Sequence, residues 1–202
     1  MKRVVFAFLL SIFCIVATAQ KKITITYPDG NKMAKGTVIQ TDTGEAETGK
    51  WVFWYHNGTK KTTGSFEKGI KTGVWKSWYP KGALKSEINY SDGPYKVWNE
   101  DGSLMVEAYM VDGKFHGPYT SWHSNRNILT EGAYRNGEKH GKWSIYTNKG
   151  KLISEGVYDN GKQTGLWREW HFNGKKKSEI HYDTGPFLKW YDNSKKEIEA
   201  TI

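Results

Sequence analysis

Residues 141–164 read Gly141-Lys-Trp143-Ser-Ile-Tyr146-Thr-Asn-Lys-Gly150-Lys-Leu-Ile-Ser-Glu155-Gly-Val-Tyr158-Asp-Asn-Gly161-Lys-Gln-Thr164, and this stretch decides the fold because it is one copy of a repeat. Glycines at 49, 73, 93, 117, 141, 165 and 185 open similar segments, spaced by 24, 20, 24, 24, 24 and 20 residues. Count positions within a unit from that glycine as zero. Position +2 is then aromatic in all seven units: Trp51, Trp75, Tyr95, Tyr119, Trp143, Trp167 and Phe187. Position +5 is aromatic in all seven as well: Trp54, Trp78, Trp98, Trp122, Tyr146, Trp170 and Trp190. Position +14 is glutamate in six: Glu87, Glu107, Glu131, Glu155, Glu179 and Glu199. Position +17 is aromatic in five: Phe66, Tyr90, Tyr134, Tyr158 and Tyr182. A weaker copy without the Trp columns starts at residue 21, as terminal repeats that cap a stack often do. The reading is a repeat domain over 20–202 with units 21–48, 49–72, 73–92, 93–116, 117–140, 141–164, 165–184 and 185–202.

Each unit has two short runs rich in aromatic and β-branched residues, separated by turn dipeptides such as Asn57-Gly58, Asp101-Gly102 and Asn173-Gly174. That pattern predicts an antiparallel hairpin, whereas the frequent glycines and the missing 3.6-residue period argue against helix. A two-residue type I′ loop at +8 and +9 is expected, since Asn-Gly and Asp-Gly supply its positive φ angles. Facing positions then sum to 17. Position +2 faces +15, so a ring lies over Gly or Ala in five units (for example Trp51 over Gly64 and Trp143 over Gly156). Position +3 faces +14, pairing Lys76 with Glu87, Lys96 with Glu107 and Arg168 with Glu179. Position +5 faces +12, pairing Trp54 with Lys61, Trp98 with Met105 and Trp122 with Leu129. The parity of +2 and +5 puts the two Trp columns on opposite faces. Eight hairpins make sixteen strands, or on the order of 75 Å of twisted ribbon at roughly 4.8 Å per strand. The four-residue difference in unit length falls in the links, where the short units are followed by Gly93-Pro94 and Gly185-Pro186.

Composition fits a repeat scaffold with shallow burial. Beyond residue 19, Ile, Leu and Val total 24 while Trp, Tyr and Phe total 27. Lys2-Arg3, the apolar run Val4–Val16 and Ala17-Thr18-Ala19 read as a secretory signal peptide over 1–19. The apolar run is too short for a comfortable membrane span, so the mature chain is expected to have none. The expected location is periplasmic, cell-surface or secreted. Cys14 is the single cysteine, which removes disulfides and thiolate metal sites from a chain cut after Ala19. The formal charge of +9 becomes +7 without Lys2 and Arg3, and acids are interleaved with bases. A mixed surface of this kind argues against nucleic acid as the partner.

The pattern Gly-x-Trp-x-x-Trp/Tyr-x-x-Asn-Gly…Glu-Gly-x-Tyr-x-Asn-Gly-Lys-x-x-Gly, clear at 117–140 and 141–164, resembles the bacterial MORN-repeat variant, with proteins grouped as YwqK-type antitoxins. The resemblance covers 49–202 and, more weakly, 21–48. It implies a scaffold that binds proteins or lipids through an elongated hairpin sheet. The expected fold is therefore all-β: one single-layer antiparallel sheet of MORN-like hairpins, about sixteen strands, behind a signal-peptide helix.

No nucleophile elbow, Walker A loop, dinucleotide fingerprint, His-Glu-x-x-His or EF-hand spacing is present. His116 and His140 share one repeat position, and His123 and His171 share another, +6, so repeat phase accounts for them. His56 and His181 stand alone as surface residues. The glutamates Glu87, Glu107, Glu131, Glu155 and Glu179 form one column, of which Glu87, Glu107 and Glu179 have predicted basic partners, and with the +2 aromatics the column is read as structural. No catalytic residue, cofactor or metal is expected. The +5 column remains as a binding track. The leading reading is a non-catalytic exported scaffold that binds a protein partner at the cell envelope. Alternatives are envelope glycan or cell-wall binding along the aromatic track, with lipid also possible, and an antitoxin role.

Overall fold

A computed structural model describes residues 19–183 and 185–201. The signal-peptide reading, and the helix it implied, lie outside these residues apart from Ala19. The described chain forms one open antiparallel sheet in which all sixteen strands follow chain order. They are β1 (Gln20–Thr26), β2 (Lys32–Thr41), β3 (Gly44–Trp54), β4 (Lys60–Glu67), β5 (Ile70–Trp78), β6 (Leu84–Asn89), β7 (Gly93–Trp98) and β8 (Leu104–Val111). The second half comprises β9 (Lys114–Trp122), β10 (Ile128–Arg135), β11 (Glu138–Tyr146), β12 (Leu152–Asp159), β13 (Lys162–Trp170), β14 (Lys176–His181), β15 (Pro186–Trp190) and β16 (Lys196–Thr201). No helix among the described residues is long and apolar enough to cross a membrane.

The expected register holds from +2 to +4. Trp51 pairs with Gly64, Trp75 with Ile88, Tyr95 with Ala108 and Trp143 with Gly156. Lys76 meets Glu87 at 2.8 Å, Lys96 meets Glu107 at 2.7 Å and Arg168 meets Glu179 at 3.5 Å. Beyond +4 the register slips by one. Trp54 pairs with Lys60, Trp98 with Leu104 and Trp122 with Ile128, so +5 faces +11 and not +12. The +12 residue is a β-bulge, and it reaches the other face. There Lys177 bonds Glu169 at 3.0 Å and Lys189 meets Glu197 at 2.9 Å, both +4/+12 pairs.

The bulge follows from the loop. The amide of Gly58 donates to the Tyr55 carbonyl and that of Tyr55 donates to the Thr59 carbonyl, at 2.9 and 2.8 Å. This is a three-residue loop with a single left-handed residue at +9, which is Gly58 at φ 82° or Arg126 at φ 70°. Asn57 at +8 has no positive φ. Its Oδ1 instead accepts the Thr59 amide at 3.0 Å, an Asx turn that recurs at Asp29, Asp101, Asn125, Asn173 and Asn193. The expected type I′ geometry occurs instead in the links between units. Consecutive positive φ angles fall at Lys68-Gly69, Asp112-Gly113, Asn136-Gly137 and Asn160-Gly161. The short links show no such pair of angles among the described residues, and there β6–β7 and β14–β15 each pair over only three residues.

Burial is concentrated on the +2 face. Trp51, Trp75, Trp143 and Trp167 are buried, at 3–7% exposure. Each indole lies against glycine, but not the facing residue that the register suggested (Gly64 for Trp51, Ile88 for Trp75, Gly156 for Trp143, Ile180 for Trp167): the glycine belongs to the preceding unit and is Gly36, Gly64, Gly132 and Gly156 respectively. A Cβ at any of these four would fall inside the indole. Each indole Nε1 donates at 3.1 Å to the +16 carbonyl of that same preceding unit. The +17 ring of the preceding unit packs edge-on, with centroids at 4.8 Å for Phe66–Trp75, 5.1 Å for Tyr134–Trp143 and 5.0 Å for Tyr158–Trp167. Lys71 and Lys139 lie over Trp75 and Trp143 at 4.5 and 4.4 Å. Burial holds the Lys139 ammonium below its ordinary pKa.

Candidate functional site

The +5 face starts from the alternation of β3, in which Val52 and Trp54 point away from the packed Trp51 and Phe53. All seven +5 rings (Trp54, Trp78, Trp98, Trp122, Tyr146, Trp170 and Trp190) are half-buried. None of them makes a ring–ring contact among the described residues; the stacked aromatics are those of the +2 face. Instead, Lys60 and Lys176 sit over Trp78 and Trp190, each at 5.2 Å. Tyr146 donates to Glu131 at 2.6 Å, and this bond to a carboxylate raises the phenol's pKa.

The backbone of the +5 residue is tied by a column that sequence reading noticed only in part. The side chain at +6 of one unit bonds the +5 carbonyl of the next. Tyr27, Tyr55 and Tyr79 donate to the carbonyls of Trp54, Trp78 and Trp98, each at 2.9 Å. His123 and His171 do the same to Tyr146 and Trp190, at 3.0 and 2.9 Å. A carbonyl can only accept, so both histidines carry a proton on Nε2. The phase shared by these two histidines with tyrosine thus has a common cause. At the loop, Asn57 and Asn173 donate across to the carbonyls of Pro80 and Asp192, at 3.2 and 3.0 Å.

Of the other histidines, His56 meets Asp29 at 2.8 Å, edge-on to Tyr27, and His140 lies 3.4 Å from Asp159. The +14 glutamates face the same side as the +5 rings. Glu155 takes Lys142 at 2.7 Å and Arg168 at 3.5 Å; the Lys142 hydrogen bond leads in holding its pKa below the usual glutamate value. Glu179 is lowered in the same way, first by Lys176. No group of three or more His, Cys, Asp or Glu residues with metal-site geometry occurs among the described residues.

Four grooves run along the loop side, and each takes one wall from a +5 aromatic. Trp54 lines a groove of about 360 Å³ with Gly30 and Asn31. Trp122 lines one of about 420 Å³ with Asp101, Leu104 and Arg126. Tyr146 lines one of about 510 Å³ with His123, Leu129 and Lys151, and Trp170 one of about 360 Å³ with Ile145 and Glu169. The last two share Ile153 and Phe172, and Phe172 is 81% exposed. At the loop edge the grooves draw residues from both faces: Leu129 and Ile153 are +12 bulge residues, and Ile145 and Glu169 are +4 residues of the face opposite the +5 rings. Sequence reading placed +12 beneath the Trp column and so missed this edge.

A family model described as the MORN repeat variant matches residues 71–92, 139–160 and 163–184. Each match spans one hairpin: β5–β6, β11–β12 and β13–β14. A crystal structure of a protein with unknown function from Bacteroides fragilis is 9% identical, with 92% of this chain and 94% of that one covered and a TM-score of 0.17. Among curated proteins there is no match.

Proposed function

From the premise that the chain carries MORN-variant repeats at three places, we propose a non-catalytic, exported scaffold that binds a protein partner at the cell envelope. The carrying observation is the loop-side row of grooves walled by +5 aromatics, with Phe172 standing 81% exposed between two of them. Exposed aromatics beside apolar neighbours are the usual material of interface hot spots. The non-catalytic reading is supported by the structural work of the polar residues. His123 and His171 hold backbone carbonyls, and Glu155 and Glu179 hold basic side chains. Export rests on the signal-peptide pattern at 1–19.

The test is affinity capture from envelope extracts with the wild-type protein and a Phe172→Ser/Ile153→Ser variant. A partner retained by the wild type and lost by the variant is the expected result. Failure to recover a stable partner at any salt concentration overturns the reading. A second reading, an envelope glycan, is favoured by the half-exposed indoles of Trp54, Trp122 and Trp170 lining open grooves. Quenching of Trp fluorescence by purified wall polysaccharide, weakened by Trp98→Ala or Trp122→Ala, would move the assignment there.

A further inference from the structure

The +14 column is glutamate in six units, and the first unit reverses its sign: residue 35, at +14 counted from 21, is lysine. In the unit at 141–164 the +1 residue Lys142 reaches the +14 carboxylate of Glu155 at 2.7 Å. The same two positions of the first unit hold Lys22 and Lys35, and +1 of the second unit adds Lys50. These three lysines line one groove of about 260 Å³, with Gly36, Thr37 and Val52. They come from three adjacent strands, β1, β2 and β3. Thr37 faces Lys22 directly in the register, and Lys35 faces Val52 on its other side. None of the three ammonium groups has an acidic partner among the described residues; Glu45 is taken by Lys21 at 3.1 Å, and Lys21 faces Val38 on the other side of the sheet.

Like charges gathered across neighbouring strands oppose folding unless something neutralises them. Elsewhere in the sheet a glutamate of the chain does so. We propose that this groove is an oxyanion-binding site that takes a phosphoryl dianion where six other units place their own carboxylate. Three ammonium donors on flexible stems close around a tetrahedral anion from several directions, and the Thr37 hydroxyl adds a neutral donor. The anion is either free phosphate or the phosphate of a monoester, since both present the same three-oxygen face.

The variant Lys35→Glu gives a direct test, because it installs the residue that six other units carry and so keeps the fold. Purified wild-type protein and the variant are titrated at constant ionic strength with inorganic phosphate, glycerol phosphate or chloride. Backbone amide shifts are followed by NMR. In the wild type, phosphate should give saturable shifts confined to residues near Lys22, Thr37 and Lys50, with chloride inert. In Lys35→Glu, affinity should fall by roughly tenfold or more, as one attractive charge becomes a repelling one. Tighter binding of glycerol phosphate than of phosphate would assign the site to a phosphorylated molecule, and the reverse to the free ion. Equal responses in the two proteins, or no saturable response in the wild type, overturn the proposal.

Discussion

Trp75 and Gly64 show how one residue type dictates another in the adjacent unit. The indole occupies the space that a side chain at Gly64 would need, and its Nε1 is fixed on the Ser65 carbonyl. The same dependence runs along the chain. The +2 residue is Trp where the preceding +15 is Gly36, Gly64, Gly132 or Gly156, and Tyr or Phe where it is Ile88, Ala108 or Ile180. Gly64→Ala should therefore destabilise the protein by about 2–3 kcal/mol through overpacking. Adding Trp75→Tyr should restore part of that loss, because the pair is coupled. Urea denaturation of the two single variants and the double variant measures the coupling, and strict additivity would contradict the account. The register at +2 and +3 was legible because ring size and charge both report it. The neighbour to which the indole leans was not, since Trp51 could cover Gly64 or Gly36 with equal chemical sense.

At the level of the hairpin, Asn57-Gly58 and Asn136-Gly137 are the same dipeptide in two different turns. In the first, Asn closes an Asx turn and only Gly is left-handed; in the second, both residues are. The sequence signal is the same for both, so it points to a two-residue loop in each, one residue shorter than the hairpin loop that forms and with no place for the +12 bulge. Apolar Met105 and Leu129 at +12 then looked like natural partners for Trp98 and Trp122, which concealed part of the candidate binding surface. The ion pairs of the hairpin were legible, and they make stability pH-dependent. Glu155 and Glu179 have folded-state pKa values below the ordinary 4.5, so their contribution is complete above that value and is lost as the pH falls through the lowered ones. Each pair contributes about 0.5 kcal/mol. Lys142→Met should lower the denaturation midpoint at neutral pH and flatten its fall under acid. A variant as acid-sensitive as the wild type would show that the pair contributes nothing.

Over the whole molecule the ribbon is not uniform. Ring–ring contact runs from Trp51 to Tyr90 and again from Tyr95 to Tyr182, with none joining Tyr90 to Tyr95 among the described residues. That gap coincides with the three-residue pairing of β6 and β7. Because each strand hydrogen-bonds in the ladder only to its neighbours and its side chains reach at most the next strand but one, stability is close to a sum of local terms, and the thinnest seam opens first. Amide exchange should be fastest, among paired strands away from the two ends, at β6 and β7. Uniform protection from β3 to β13 would refute this. The indole-on-glycine contact has a further consequence for how such chains can be shortened or lengthened. Units behave like dominoes whose touching ends must agree: a Trp-headed unit needs a Gly-tailed one before it. Excising 141–164 leaves Trp167 facing Gly132, a legal join, whereas excising 165–184 leaves the smaller Phe187 above Gly156 with a void between them. The history of duplication and loss in this sequence is thus constrained by a matching rule written into the boundary between copies, and not by the copies themselves.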